Sequence, residues 1–152
     1  MSLDDDIAFF AQVPTLAVLG KDALRILAIG AETRNLPSGA ILFYAGELAD
    51  GGYIVQDGLI LLEPGTLQEG KEVTVGRGTL IGELALLTDM VCPATAIAKE
   101  PTTVIRITRN LFKKMLEGYP EAALKLRNIM AARVEEWTRD LSAVQRAMDR
   151  KN

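Results

Sequence analysis

A chain of 152 residues, 49% hydrophobic and 24% charged, is long enough for one domain with a sizeable apolar core and little beyond an extra helix or arm. It holds no histidine and one cysteine, so His-ligated metal enzymes, His general bases, Ser-His-acid triads, intramolecular disulfides and Cys-cluster metal sites are excluded within it. The formal charge of -3 hides an uneven distribution: residues 1–105 carry 6 basic and 14 acidic groups, residues 106–152 carry 11 and 6, giving -8 and +5.

The N-terminus, Met1-Ser-Leu-Asp-Asp-Asp, is acidic where a signal peptide needs basic residues, and no apolar run approaches the roughly 20 residues that cross a bilayer. A cytoplasmic protein without membrane contact is expected, and a single thiol fits a reducing compartment. The basic C-terminal part could approach nucleic acid. Its charges, however, lie along a helical pattern that also contains acids, which reads as a solvated helix surface.

In chain order, residues 3–30 read as short helices. Ile7, Phe9, Phe10 and Val13 make one apolar face ended by Pro14, and Ala23, Leu24, Ile26, Leu27 and Ile29 make another before Gly30. Asp4, Asp5 and Asp6 suit a helix N-terminus, where carboxylates meet unpaired backbone donors. From Arg34 to Ile107 the pattern changes to short strands: Ile41 to Tyr44, Gly52 to Val55, Leu59 to Leu62, Glu72 to Val75, Thr95 to Ala98 and Thr102 to Ile107. Closely spaced Gly and Pro breakers separate them, and Asp57-Gly58 between two β-rich runs predicts a hairpin. Many short strands with no alternating helices predict a mainly β fold with flanking helices, a double-stranded β-helix or jelly-roll barrel, and exclude a Rossmann arrangement.

Helical periodicity returns at Thr108, whose side chain suits a cap. Leu111, Phe112, Met115 and Leu116 form a stripe interrupted at Gly118-Tyr119-Pro120. A long helix is expected from about Pro120 to near the end. Its second half carries a heptad, with Met130, Trp137 and Val144 at one position and Val134, Leu141 and Met148 at the other. Such a seam predicts a homodimer through paired C-terminal helices, the alternative being a helix folded back over its own barrel. The expected division is residues 1–118 as a barrel with N-terminal helices and residues 119–152 as the long helix and dimerisation element.

Three segments, Pro37-Ser-Gly-Ala-Ile-Leu-Phe-Tyr-Ala-Gly-Glu47, Gly52-Tyr-Ile-Val-Gln-Asp-Gly58 and Ile81-Gly-Glu-Leu-Ala-Leu-Leu87, resemble the cyclic nucleotide-binding domains. These occur in bacterial catabolite-activator-type regulators, in regulatory subunits of cyclic-AMP-dependent kinases and in cyclic-nucleotide-gated channels. The resemblance covers nearly the whole chain. It implies a phosphate-binding cassette in which Glu83 accepts from a ribose 2'-hydroxyl and backbone donors around Gly82, Leu84 and Ala85 face a cyclic phosphate. A helix N-terminus independently suits an anion, and Gly82 permits close backbone approach. Taken alone, the same five residues could be a helix cap and core.

The second half of the cassette departs from the family pattern. An ungapped alignment from Gly82 puts Cys92 where the family has its phosphate-pairing Arg, followed by Pro93 and Ala94, and Pro93 has no backbone N–H to offer. Losing that charge-assisted contact weakens anion binding by roughly 2–5 kcal/mol. Arg77 in the Gly76-Arg77-Gly78 turn is the first compensating cation to consider, with Lys99 and Arg106 behind it, although surface positions suit all three. Cys92 reads either as a reactive thiol or as a small packed hydrophobe. The resemblance further places Trp137 and Thr138 near the purine, by stacking and edge hydrogen bonding, whereas the heptad makes Trp137 a dimer-core residue.

The expected function is a regulatory or sensor domain that binds a cyclic nucleotide, cyclic AMP or cyclic GMP, or a related small anion, weakly or atypically. No other cofactor is expected. No helix-turn-helix follows in the sequence to Asn152, so output is expected through a separate protein, or through a further segment of the chain, and not by direct DNA binding from these residues. The alternative is a ligand-independent dimerisation or interaction module that has lost nucleotide binding. An enzyme is disfavoured, because Glu83 and Asp89, six residues apart across a short helix and loop, make a poor fixed acid/base pair.

Overall fold

The computed structural model describes residues 2–65 and 70–132. Two helices lead, α1 (Leu3–Phe10) and α2 (Lys21–Gly30). Helix α1 opens with a capping box: the Ser2 hydroxyl accepts from the Asp5 N–H at 3.2 Å, and the Asp5 carboxylate accepts from the Ser2 N–H at 3.4 Å. Ten strands follow: β1 (Glu32–Leu36), β2 (Ile41–Phe43), β3 (Leu48–Ala49), β4 (Gly51–Asp57), β5 (Ile60–Pro64), β6 (Val73–Val75), β7 (Leu80–Ile81), β8 (Met90–Val91), β9 (Ala94–Ala98) and β10 (Thr102–Thr108). A 3-10 turn, Glu83–Leu86, lies between β7 and β8. Helix α3 (Arg109–Gly118) follows β10 directly, its first turn capped by the Thr108 hydroxyl accepting from the Leu111 N–H at 3.1 Å. Helical backbone resumes over residues 120–132.

The expected mainly β jelly-roll barrel is not formed. Among the described residues the strands make three separate antiparallel sheets, β1-β10-β4-β7, β2-β9-β5-β6 and β3-β8, which with α1, α2, α3, the 3-10 turn and the 120–132 helix give a mixed α/β fold. A closed barrel requires a ladder that returns to its first strand. Here the ladders stop at β1 and β7 in one sheet and at β2 and β6 in the other, so both sheets stay open.

The Asp57-Gly58 hairpin is also corrected. Strands β4 and β5 do not pair with each other; β4 pairs with β10 and β7, while β5 pairs with β6 and β9. The turn is instead a corner that hands the chain from one sheet to the other. Gly58 has φ +99°, and a Cβ there would collide with the Thr102 hydroxyl. That buried hydroxyl accepts from the Leu59 N–H at 3.2 Å and donates to the Glu100 carbonyl at 2.8 Å, fixing the corner to the start of β10.

The core has two parts, divided by the first sheet. Ile105 and Ile107 of β10 and Ile54 of β4 point to a helical cluster containing Phe10, Leu16, Leu27, Phe112 and Met115. Val104 of β10 and Val55 of β4 point the other way, to a smaller cluster with Ile60, Ala96 and Ala98. The period of two therefore makes β10 buried on both faces, and Arg106 falls on the face of Val104. Each large side chain so buried contributes about 1.5–3 kcal/mol, which is why the helices are integral to the domain. Ala122 and Leu126 of the 120–132 helix join the helical cluster, and Met130 packs against it. Of the heptad residues, Met130 lies within the described part of the chain; Val134, Trp137, Leu141, Val144 and Met148 lie outside it.

Candidate functional site

Strand β7 ends at Ile81, which pairs with Tyr53 of β4, which in turn pairs with Arg106 of β10. Immediately after β7 the chain reverses at Gly82, whose φ of +81° lies in the left-handed region. A Cβ at Gly82 would also stand 3.2 Å from the Gly51 carbonyl oxygen. Gly82→Ala is therefore expected to lower stability by about 1–3 kcal/mol, read as a shifted midpoint in denaturant unfolding at unchanged slope. The Glu83–Leu86 turn then runs along the rim of a cleft of about 1090 Å³ that opens to solvent.

Seven of the ten residues singled out from the sequence converge on this cleft. Gly82, Glu83, Leu84 and Ala85 line it from the turn, and Cys92, Pro93 and Ala94 line it from β9 and the residues just before it. The Ala85 N–H is used within the turn, donating to the Gly82 carbonyl at 3.0 Å, so it is not directed at a ligand as the resemblance implied. Arg77 is elsewhere: its guanidinium lies 4.5 Å from the centre of the Phe9 ring and donates to the Gln56 carbonyl at 2.7 Å. It ties the β6–β7 turn to α1 and is not among the cleft residues. Trp137 and Thr138 lie outside the described residues.

The cleft carries cations that the sequence reading put at the surface or did not consider. Arg106 is only 18% exposed at its side chain and lines the cleft, with Arg34 on β1 nearby. Their two-strand relation is set by register, Glu32 pairing with Arg106 and Arg34 with Val104. Arg106 is engaged: one nitrogen is 2.5 Å from an Asp50 oxygen and another is 3.7 Å from Glu32. Arg34 lies 3.4 Å from Glu32. Burial works against the Arg106 charge, but its interaction with Tyr53 and the carboxylates of Asp50 and Glu32 outweigh that and raise its pKa. Each strand step spans about 4.8 Å, so the Arg106 backbone stands about 10 Å across the sheet from Ile81 and the turn. The signal was present in the sequence: Arg106 is two residues beyond the inward-facing Val104, on the same face of a strand.

Cys92 is 7% exposed, and its thiol is pushed up from its ordinary pKa by burial, then by the Glu47 and Asp50 carboxylates. It is therefore a packed neutral thiol, not an activated nucleophile. Its backbone N–H donates to the Glu47 carbonyl at 2.7 Å, which holds β3 and β8 together at this edge. Phe43 and Tyr53, both lining the cleft, stack at 5.8 Å between ring centres. Among the described residues no cluster of His, Cys, Asp and Glu could hold a metal, and no helix is long and apolar enough to cross a membrane.

The family model of the cyclic nucleotide-binding domain matches residues 33–119, more than half of the chain and the whole of the cleft region up to α3. Among solved structures, a cyclic nucleotide-binding-like protein from Brucella abortus is 37% identical, with a TM-score of 0.66 over 75% of this chain and 99% of that one. The N-terminal domain of a transcriptional regulator from Streptomyces coelicolor is 27% identical, with a TM-score of 0.75 over 84% and 91%. The cyclic AMP receptor protein of Thermus thermophilus is 31% identical over 107 residues, 69% of this chain and 50% of that protein. The lysophospholipase NTE1 of Pyricularia oryzae is 30% identical over 113 residues, 73% of this chain but 8% of the enzyme. This chain thus spans half or less of those two curated relatives. The region matched by the family model is a cyclic nucleotide-binding domain. With its Gly82-Glu83 turn and the strands around it in the family's order, the chain belongs to the cyclic nucleotide-binding domain family.

Proposed function

We propose that the chain is a sensor domain that takes a small molecule in the cleft beside the Glu83–Leu86 turn and signals through its C-terminal helix to a separate output protein, as a homodimer paired along that helix. Cyclic AMP or cyclic GMP binds weakly. The observation that carries the reading is convergence: the left-handed Gly82, the turn it opens and the Cys92-Pro93-Ala94 segment all border one cleft of about 1090 Å³. Met130 of the helix after α3 lines the same cleft, so a ligand there and the start of the C-terminal helix share a boundary. Occupancy then shifts the helix to the extent that the ligand contacts its two positions unequally. The cytoplasm is the compartment this reading assigns.

Isothermal titration calorimetry of the full chain with cyclic AMP tests the ligand assignment. Saturable heat at one site per chain, with a dissociation constant near about 1 mM, is the expected result, because the principal cation is missing. Absence of heat up to several millimolar would sink the cyclic AMP assignment. A second reading, a ligand-independent interaction module, is favoured by one observation: Arg106, a cation at the cleft, is already paired with Asp50.

A further inference from the structure

Three carboxylates, Glu47, Asp50 and Glu83, line the cleft against two guanidiniums, Arg34 and Arg106. The guanidiniums are already matched with acids: Arg106 with Asp50 and Glu32, Arg34 with Glu32. Among the described residues, a phosphate entering the cleft therefore meets guanidiniums already matched by acids, and where the cassette's cation would stand it meets a neutral thiol with Glu47 and Asp50 behind it. The remaining wall is largely apolar, with Leu42, Phe43, Leu62, Leu80, Leu84 and Met130 facing the space. Its volume, about 1090 Å³, is at the upper end of drug-sized pockets and well beyond what a ribose phosphate needs.

Building on the sensor reading above, we propose that this cleft selects an uncharged, largely apolar small molecule carrying an N–H or O–H donor over ligands that carry a phosphate or another anionic group. The apolar wall supplies affinity through area removed from water. The ionised carboxylates act only as acceptors and so favour a neutral donor while repelling an anion. A bare cation is disfavoured because most of the wall offers it nothing in return for its lost hydration. Selection of this kind acts mainly by what the site rejects, since an anion must bring its charge into a cleft whose own charges are balanced or negative.

The test uses two dyes with one ring skeleton, N-phenyl-1-naphthylamine, which is neutral, and 8-anilino-1-naphthalenesulfonate, which adds a sulfonate. Both brighten on entering an apolar site, and each is titrated into the full chain by fluorescence. The neutral dye is expected to saturate at one per chain with a dissociation constant at least tenfold below that of the sulfonate. Glu47→Gln, which keeps an acceptor for the Tyr44 N–H, is expected to tighten the sulfonate at least threefold relative to the neutral dye, since the N–H that both dyes carry cancels in the ratio. The wild-type ratio stands without the variant. Equal or tighter binding of the sulfonate overturns the proposal, as does failure of the neutral dye to saturate. Cyclic AMP calorimetry reads the sensor assignment separately: cyclic AMP heat with no neutral-dye binding sinks the selectivity and keeps the sensor, whereas dye saturation without cyclic AMP heat upholds the selectivity and removes cyclic AMP as the ligand.

Discussion

Cys92→Arg combined with Pro93→Ala is expected to tighten cyclic AMP binding by about 30-fold or more, equivalent to about 2 kcal/mol at the lower end of a charge-assisted contact. Both positions line the cleft opposite the Glu83–Leu86 turn, so a guanidinium at 92 extends into space already open. Alanine at 93 restores a backbone N–H that proline lacks, without disturbing the Pro93 carbonyl, which accepts from the Gly65 N–H at 3.1 Å. The gain is held to the lower end because Glu47 and Asp50, the carboxylates that act on the Cys92 thiol, also attract the new cation in the empty protein. The single Cys92→Arg variant should gain less than the pair. Calorimetry of wild type and both variants reads the difference directly. No gain in the double variant would mean that the phosphate of cyclic AMP does not approach this wall, and the assignment of the cassette would fail with it. The same substitution should also draw the sulfonate dye, since it reverses the sign of the local field.

The sequence made the alternation of helix, strands and helix readable because burial acts on period. The Thr108 cap, the Leu111 to Leu116 stripe of α3 and the acids in the first turn of α1 stand where local chemistry alone places them. The two-residue strands β3, β7 and β8 had no such signal, because they exist through pairing with residues far along the chain and carry too few side chains for a period. Strand β1, Glu-Thr-Arg-Asn-Leu, is a polar edge strand and lacks the apolar alternation that marks a buried one. Asp57-Gly58 reported a tight turn correctly, but turn chemistry does not state whether the flanking strands pair with each other, and here they belong to different sheets.

The site was legible in the same uneven way. The Gly82 to Ala85 and Cys92 to Ala94 segments were visible as a motif with a gap in its chemistry, and they border one cleft. The cations were misjudged because composition treats an arginine as a surface residue until its partners are known. Arg77 went to the Phe9 ring, and Arg106 came inward because Asp50, Glu32 and Tyr53 surround it. Arg109 went unremarked, although a cation in the first turn of a helix is unfavourable and signals that something holds it there.

Arg109→Gln is expected to lower stability by about 2–4 kcal/mol, because that one side chain joins three pieces of the site. Its Nε donates to the Ala85 carbonyl at 2.8 Å, one terminal nitrogen to the Ala49 carbonyl at 2.5 Å and the other to the Asp89 carboxylate at 2.5 Å. Its own backbone N–H donates to the Asp50 carbonyl at 2.7 Å. The turn that borders the cleft, the end of β3 and the first residue of α3 thus meet at a single guanidinium. A glutamine is too short and has too few donors to replace the fork, and Arg109→Lys should lose most of the same stability, since an ammonium cannot hold this planar set of acceptors. Asp89→Asn is the contrasting variant: Asp89 is 94% exposed, so its loss should cost under about 1 kcal/mol. Thermal unfolding should place Arg109→Gln and Arg109→Lys about 5–15 °C below wild type, with Asp89→Asn within a few degrees of it. If Arg109→Lys instead melted with wild type, charge alone would suffice. The two backbone carbonyls would then not be what fixes the turn to α3, and movement of the turn would have to reach the following helix through Met130 and the apolar contacts around it.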